Sequence, residues 1–352
     1  MLYIDSMATK KQLQGTSFWS KLPRPFFVLA PMANVTDVAF RAMIATYGKP
    51  DVMWNEFVSA DGLCSSGKDK LLLDLRFSKK ERPIVAQLFT GHPEAMRKAA
   101  QICAELGYDG VDINMGCPDR AVEKQGGGAA SMKDPKNALG VLNAARECSI
   151  PVSVKTRIGY NKVDMNWLKL LLEQKLPALT IHLRTRKEMS DVPAHWELMP
   201  EIVKLRDEVQ KDIPAEERTL LIGNGDVESV SDGATKVKKY GCDGVMIGRG
   251  IFGTPWLFEA VAEIRSTKSE TNPKFKNLNP KTKTPSERLK IMLEHAKLYE
   301  KKFGGIKNFA VMKKHFKAYV SGWDGAKELR VKLMETENAR QVDKIVKEYL
   351  KK

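Results

Sequence analysis

Polar and charged side chains collect where short apolar runs end. The runs close on Gln87, on Asn114 with Cys117, on Lys155 and Arg157, on His182 and Arg184, on Asn224 and Asp226, and on Arg249. Residues two apart on a strand share a face, so Lys155 should converge with Arg157 and His182 with Arg184. Taken singly, each is explained at least as well as a satisfied polar group of a core or rim. Taken together, six strands ending in polar side chains would leave buried groups without partners unless a polar ligand met them. The set predicts a site.

Two glycine-bearing turns, Gly223–Asn224–Gly225 and Gly248–Arg249–Gly250, end the last two runs. Backbone N–H groups at such turns and at helix starts hold phosphate in barrels, so a phosphorylated cofactor is expected. Three uses fit a lysine buried in SVKTR: a Schiff base, a charge beside a flavin, or one half of an ion pair. The residue pattern does not choose among them. Cys117, between Gly116 and Pro118, lies on a rigid loop near Lys155 and Arg157, and this cationic setting favours a reactive thiol over a merely buried one. Cys103 and Cys148 fall inside helix patterns and read as small core residues. The five cysteines form no CxxC pair, which argues against structural zinc and an oxidised scaffold, and no metal is expected.

What must position these residues is a series of eight β-rich runs: FFVLAPM (26–32), VMWNEFV (52–58), IVAQLF (84–89), GVDINMG (110–116), VSVKTRI (152–158), ALTIHLR (178–184), LLIGNG (220–225) and GVMIGRG (244–250). Helical periodicity separates most of them, as in 92–107, 134–148 and 226–241. Continuous apolar strands alternating with amphipathic helices imply a parallel sheet buried on both faces. Eight such units predict a (β/α)8 TIM barrel, with a doubly wound open sheet as the runner-up. The stretch GLCSSGKDKLLLDLRFSKKERP, between the second and third runs, shows no long clean helix.

The expected division is an N-terminal segment 1–25, a barrel 26–266, a polar linker 267–286 and a small helical domain 287–352. In the last of these, helical periodicity is interrupted by Gly304, Gly305 and Gly322. Formal charge is +15, and from Leu257 onward 23 Lys+Arg face 12 Asp+Glu, so +11 of it is C-terminal. Such a surface suits polyanionic partners. The apolar runs are too short to span a membrane, and the first residues carry no secretory pattern, so a soluble cytoplasmic protein without a membrane partner is expected.

With these residues in hand, the chain resembles the FMN-dependent tRNA-dihydrouridine synthases, which reduce uridines in tRNA. The resemblance rests on LAPMANVTDVAFR, AQLF, DINMGCP, VKTRIG, IHLRTR, NGD and MIGRG, in the family's order and spacing, with DINMGCP the most specific. It implies a flavin-binding barrel followed by a helical tRNA-binding domain, acting as a monomer. NADPH would reduce FMN, and the reduced flavin would pass a hydride to C6 of a uridine, in the D-loop, that has left its stack. Cys117 would protonate C5 as general acid. FMN contacts would come from Pro31, Met32, Gln87, Asn114, Lys155, His182, Asn224, Gly225, Asp226, Gly248 and Arg249, with Asn114 also facing substrate. Lys155 would then stand near the flavin N1–C2 carbonyl and stabilise the reduced anionic ring. The tRNA would meet Arg157 and Arg184 and be anchored through phosphate contacts by Lys313, Lys314 and Lys317.

Two departures from the family pattern concern one loop: Leu183 follows His182 where glycine is common, and KEMSDVPAHW lacks the usual Tyr and Gly. Rival readings are an FMN barrel reductase of a small molecule, resembling dihydroorotate dehydrogenase or old yellow enzyme, and a non-catalytic RNA-binding module. The first leaves the basic C-terminal region without a purpose, and the second leaves Cys117 without one.

Overall fold

The computed structural model describes residues 17–266 and 283–351. Among them nine strands run parallel: β1 (Phe26–Leu29), β2 (Met53–Trp54), β3 (Val58–Ser59), β4 (Ile84–Phe89), β5 (Gly110–Met115), β6 (Val152–Arg157), β7 (Ala178–His182), β8 (Leu220–Asn224) and β9 (Gly244–Ile247). Their hydrogen-bonded order is β1-β9-β8-β7-β6-β5-β4-β2, and a parallel bridge between Val28 and Val52 joins the two ends. The sheet therefore closes into the (β/α)8 barrel that the alternation predicts.

The run VMWNEFV is two short strands rather than one, both paired to β4. Between them the Oδ1 of Asn55 accepts the backbone N–H of Gln87 at 2.7 Å. A side chain thus takes a ladder position that a backbone carbonyl would hold, and the chain swings out before rejoining the sheet.

Because every strand is covered on both faces, apolar residues occupy both sides. Phe26, Val28, Val52, Trp54, Val85, Ala178, Leu220, Ile222 and Met246 fill the lower interior of the barrel. Trp19, from the single turn Phe18–Lys21, packs onto this cluster with its ring 5.9 Å from that of Trp54. Phe27, Leu29, Ala86 and Val245 belong instead to the outer core against the helices.

The predicted helices form at Pro93–Glu105, Pro135–Ala145 and Val230–Tyr240. Ser229 caps the last, and Gly241 ends it in the left-handed conformation at φ 78, which suits glycine. Where the sequence shows no long helix, two short ones form, Ala60–Leu63 and Lys68–Leu72.

Beyond the barrel, helices span Pro285–Phe303, Met312–Tyr319, Ala326–Met334 and Ala339–Leu350. A capping box between Thr284 and Glu287 starts the first, two residues ahead of the expected 287. Residues 267–282 of the expected linker lie outside the described residues. The last helical segment divides in two because Asn338 accepts the N–H of Gln341 and starts a new helix. These helices pack directly on Val38–Tyr47: the Phe40 ring lies 5.1 Å from His295 and 4.8 Å from His315, within the same apolar cluster as the barrel's outer core. No helix among the described residues is long and apolar enough to cross a membrane.

Candidate active site

Above the apolar plug, the barrel interior turns polar. Asp112, two residues before Asn114 on β5 and fully buried, accepts hydrogen bonds from Gln87 Nε2 at 2.7 Å and Ser153 Oγ at 2.6 Å. Gln87 Oε1 in turn accepts from Asn114 Nδ2 at 3.0 Å, which leaves Asn114 Oδ1 to accept the N–H groups of Gly116 at 3.2 Å and Cys117 at 2.9 Å. A carboxylate only accepts, so Asp112 fixes the direction of the whole chain and orients both amides.

The loop that carries Cys117 is held by two further hydrogen bonds. Arg157 Nε donates to the carbonyl of Gly116 at 2.8 Å, and the N–H of Ala129 donates to that of Cys117 at 2.9 Å. A Cβ on Gly116 would lie 2.9 Å from the backbone of Thr156, so glycine is what lets the loop lie against β6. Cys117 is partly exposed at this position. Burial pushes its thiol up and the charge of Asp119 adds to this, against the Asp119 backbone N–H and the charges of Lys155 and Arg157. The thiol is therefore protonated near neutrality. The cationic surroundings do not make it a thiolate, because burial outweighs them.

Lys155 extends from β6 between Asp112 and Cys117, and no described residue hydrogen-bonds to its Nζ or pairs with it at salt-bridge distance. Burial pushes its ammonium down to about 8, Arg157 adds to the shift and Asp112 opposes it. His182 is held well below the usual imidazole range, first by burial and then by the charges of Lys155, Arg157, Arg184 and Arg249. Four cations thus converge on a neutral imidazole, with Asp112 and Asp226 as the nearby carboxylates.

Asp226, at φ 47, accepts from Arg184, from Arg249 Nη2 at 3.0 Å and from the Ala194 N–H at 2.9 Å. Burial raises its carboxyl, but these hydrogen bonds and charges hold it below the usual range. Asn224 Nδ2 donates to the carbonyl of Met246 at 2.8 Å. Gly225, at φ 117, passes so close that a Cβ would lie 2.8 Å from Ala194 and 3.0 Å from His182. At the first strand end, Met32 N–H donates to Thr36 Oγ1 at 2.9 Å.

Several expectations meet a different geometry. Arg157 and Arg184 are buried and spend their donors on the protein: Arg157 also reaches the carbonyls of Thr185 at 3.0 Å and Met189 at 2.9 Å, and Arg184 reaches Val192, His182 and Asp226. They brace the mouth loops. Neither glycine turn opens a long helix, since the helix after β8 begins at Val230 and Gly248 precedes only the turn Arg249–Ile251. Of the three C-terminal lysines, Lys317 is exposed, whereas Lys313 and Lys314 are half-buried and Lys314 lies within reach of the charges of Glu56 and Asp37.

Residues not singled out from the sequence complete the rim. Arg186 makes a bidentate pair with Glu123 at 2.9 and 2.7 Å, and Tyr160 lies between Lys133 and Arg186, 4.3 and 5.4 Å from its ring centroid. Asp112 was within reach of sequence reasoning, because it shares a strand face with Asn114.

The FMN implied by the resemblance fits this chemistry on three counts. The excess of positive charge around His182 suits a phosphorylated anion. Lys155 reaches the mouth with no partner for its donors among the described residues. A Cβ on Gly248 would stand 3.6 Å from Ala30 and 3.7 Å from the Met32 sulfur, in space that glycine leaves open at the first and last strand ends.

The model of the dihydrouridine synthase (Dus) family matches residues 28–352. "Probable tRNA-dihydrouridine synthase 2" of Bacillus subtilis (strain 168) is 41% identical over 340 residues, covering 96% of this chain and 97% of its own. "Probable tRNA-dihydrouridine synthase" of Staphylococcus aureus (strain COL) is 40% identical, with 95% of each chain covered. Among solved structures, histamine dehydrogenase from Rhizobium sp. 4-9 shares the fold with a TM-score of 0.50 at 12% identity, over 77% of this chain and 48% of that one. With a family model that spans the barrel and the helical region alike, and relatives matched along nearly their whole length, this chain belongs to the dihydrouridine synthase family.

Proposed function

We propose that the protein reduces the C5–C6 double bond of uridine in the D-loop of tRNA, with FMN held in the barrel mouth and NADPH as reductant. The observation that carries this reading is a thiol fixed at the mouth of a cationic barrel: Cys117, on a loop pinned by Asn114, Arg157 and Ala129. When bound and reduced, FMN supplies the hydride that goes to C6 of the uracil.

Gln87, Asn114, Lys155, His182, Asn224, Gly225, Asp226, Gly248 and Arg249, with Pro31 and Met32 at the first strand end, would hold the flavin. No described residue partners the Lys155 ammonium, which would offer its charge to the ring and stabilise the reduced anionic form. His182, neutral among four cations, accepts or donates a hydrogen bond without adding charge. Cys117 Sγ gives its proton to C5 of the uracil and leaves as thiolate, and Lys155 and Arg157 stabilise that charge as it forms. Residues 26–266 are the catalytic unit and residues from about 285 onward the tRNA-binding unit, where the exposed Lys317, with the half-buried Lys313 one turn before it, anchors phosphates.

The test is Cys117→Ala, which should keep FMN and NADPH oxidation while lowering dihydrouridine formation by about 10²- to 10⁴-fold. Product formation at the wild-type rate would remove Cys117 from the mechanism.

A further inference from the structure

Glu56 plays no part in the chemistry proposed above, yet it is a carboxylate buried at the mouth. Its Oε1 accepts the backbone N–H of Asn34, while Oε2 receives no hydrogen bond. The cation beside Oε2 is Lys307, at 3.7 Å, on the turn that follows the helix Pro285–Phe303. Lys307 also donates to Asp74 Oδ1 at 2.5 Å and lies 4.9 Å from the centre of the Phe303 ring. A side chain of the helical region is therefore inserted into an acidic pocket of the barrel.

Asn34 stands at φ 53 in the loop that Pro31 and Met32 begin. The Met32 carbonyl accepts the N–H groups of Val35 at 3.1 Å and Thr36 at 3.0 Å, so the loop is closed into a single hydrogen-bonded turn. The barrel grips it at Thr36, whose carbonyl accepts from Arg41 Nη1 at 2.6 Å, and Arg41 is itself paired with Glu81 at 2.7 Å. Glu56 grips it at Asn34, and the charge that balances Glu56 comes from the helical region.

We infer that Glu56 and Lys307 form a latch in which the helical region, through Lys307, neutralises the carboxylate that holds Asn34 and thereby sets the Pro31–Met32 loop for the flavin. Both are positioning residues, and the inference rests on the flavin-binding reading above. Facing Glu56 are Asp37 and Arg41 at the start of Val38–Tyr47, Asp74, Lys307, Lys314 of Met312–Tyr319, and Tyr299 of Pro285–Phe303. Burial pushes the Glu56 carboxyl up to about 7, Asp37 and Asp74 add to this, and Lys307 and the Asn34 N–H oppose it. Above that pH the carboxylate accepts the Asn34 N–H at full strength. Below it the carboxyl is neutral, a weaker acceptor that no longer attracts Lys307.

The experiment measures the FMN dissociation constant of the full chain, stripped of flavin, by fluorescence quenching from pH 6 to pH 8. The FMN phosphate titrates in this range for every variant, so the readout is the difference between variants. Wild type should bind about tenfold more tightly than Glu56→Gln at pH 8, the gap closing toward pH 6. Lys307→Met should show the same loss at pH 8, and Lys307→Arg should restore binding. If either single variant fails to fold, the double variant Glu56→Gln/Lys307→Met, which removes both members of the pair, takes its place with the same expectation. Equal affinities and parallel pH profiles would overturn the latch and leave the flavin reading intact. A wild type that binds no FMN would overturn that reading and the latch with it.

Discussion

The two ends of the barrel interior are built from the same strands and solve opposite problems. At the lower end Phe26, Val28, Trp54, Val85, Ile222 and Met246 fill the bore, and Trp19 covers it. One or two strand positions higher the same faces carry Gln87, Asp112, Asn114, Lys155 and His182, and the interior becomes a hydrogen-bonded cationic basin. The lower end stabilises and does no chemistry. The upper end keeps Lys155 unpartnered and Cys117 loosely covered, arrangements that cost stability and make sense only with a ligand present.

This contrast makes the two ends separable by mutation. Trp19→Ala, which removes the lower cover, should destabilise the fold by about 3–5 kcal/mol while leaving turnover per folded molecule unchanged. Urea denaturation beside steady-state rates would check both halves, and loss of rate without loss of stability would break the comparison.

Lys155→Met should do the reverse. Turnover should fall about a hundredfold, about 2.7 kcal/mol of barrier, as one preorganised charge is removed. The midpoint of thermal unfolding should hold or rise, since a half-buried ammonium without a partner among the described residues is replaced by an apolar chain of similar length.

A smaller effect belongs to the seam outside the barrel. Burial holds His295 well below the usual range and His315 down at about 3, with three of their four ring nitrogens lacking hydrogen-bond partners. Their folded-state values lie below the unfolded one, so the unfolded chain takes up protons that the fold refuses. Stability should fall as pH drops below about 6.5, by at most about 1.4 kcal/mol per pH unit for each histidine. His315→Phe should flatten the pH dependence of the denaturation midpoint between pH 6.5 and pH 4, and an unchanged slope would show that the seam does not supply it.

The sequence reveals the lower end and the strands well, because a parallel strand covered on both faces reads as an unbroken apolar run. It reveals most of the mouth too, because a polar residue at the end of such a run is conspicuous. Three features escape it for physical reasons. Asn55 splits the second run by supplying an acceptor from its side chain to Gln87, a tertiary event with no local pattern. Arg157 and Arg184 look the same in sequence whether their donors face RNA or, as here, the carbonyls of neighbouring loops. That Cys117 stays protonated beside two cations is implied by the resemblance, which makes it a general acid, but escapes its local pattern, because how far burial outweighs those cations depends on depth rather than spacing. In the helical region the periodicity is plain, but that Lys314 faces Glu56 and Asp37 while Lys317 faces solvent is decided by the packing of Met312–Tyr319.

The central claim is that this mouth reduces uridine in tRNA. Its most direct test is nucleoside mass spectrometry of unmodified tRNA incubated anaerobically with the purified protein, FMN and NADPH. The account predicts dihydrouridine, with NADPH consumed in equal amount. Bound, reducible flavin that leaves the tRNA unchanged would contradict it and would favour a barrel reductase of small molecules.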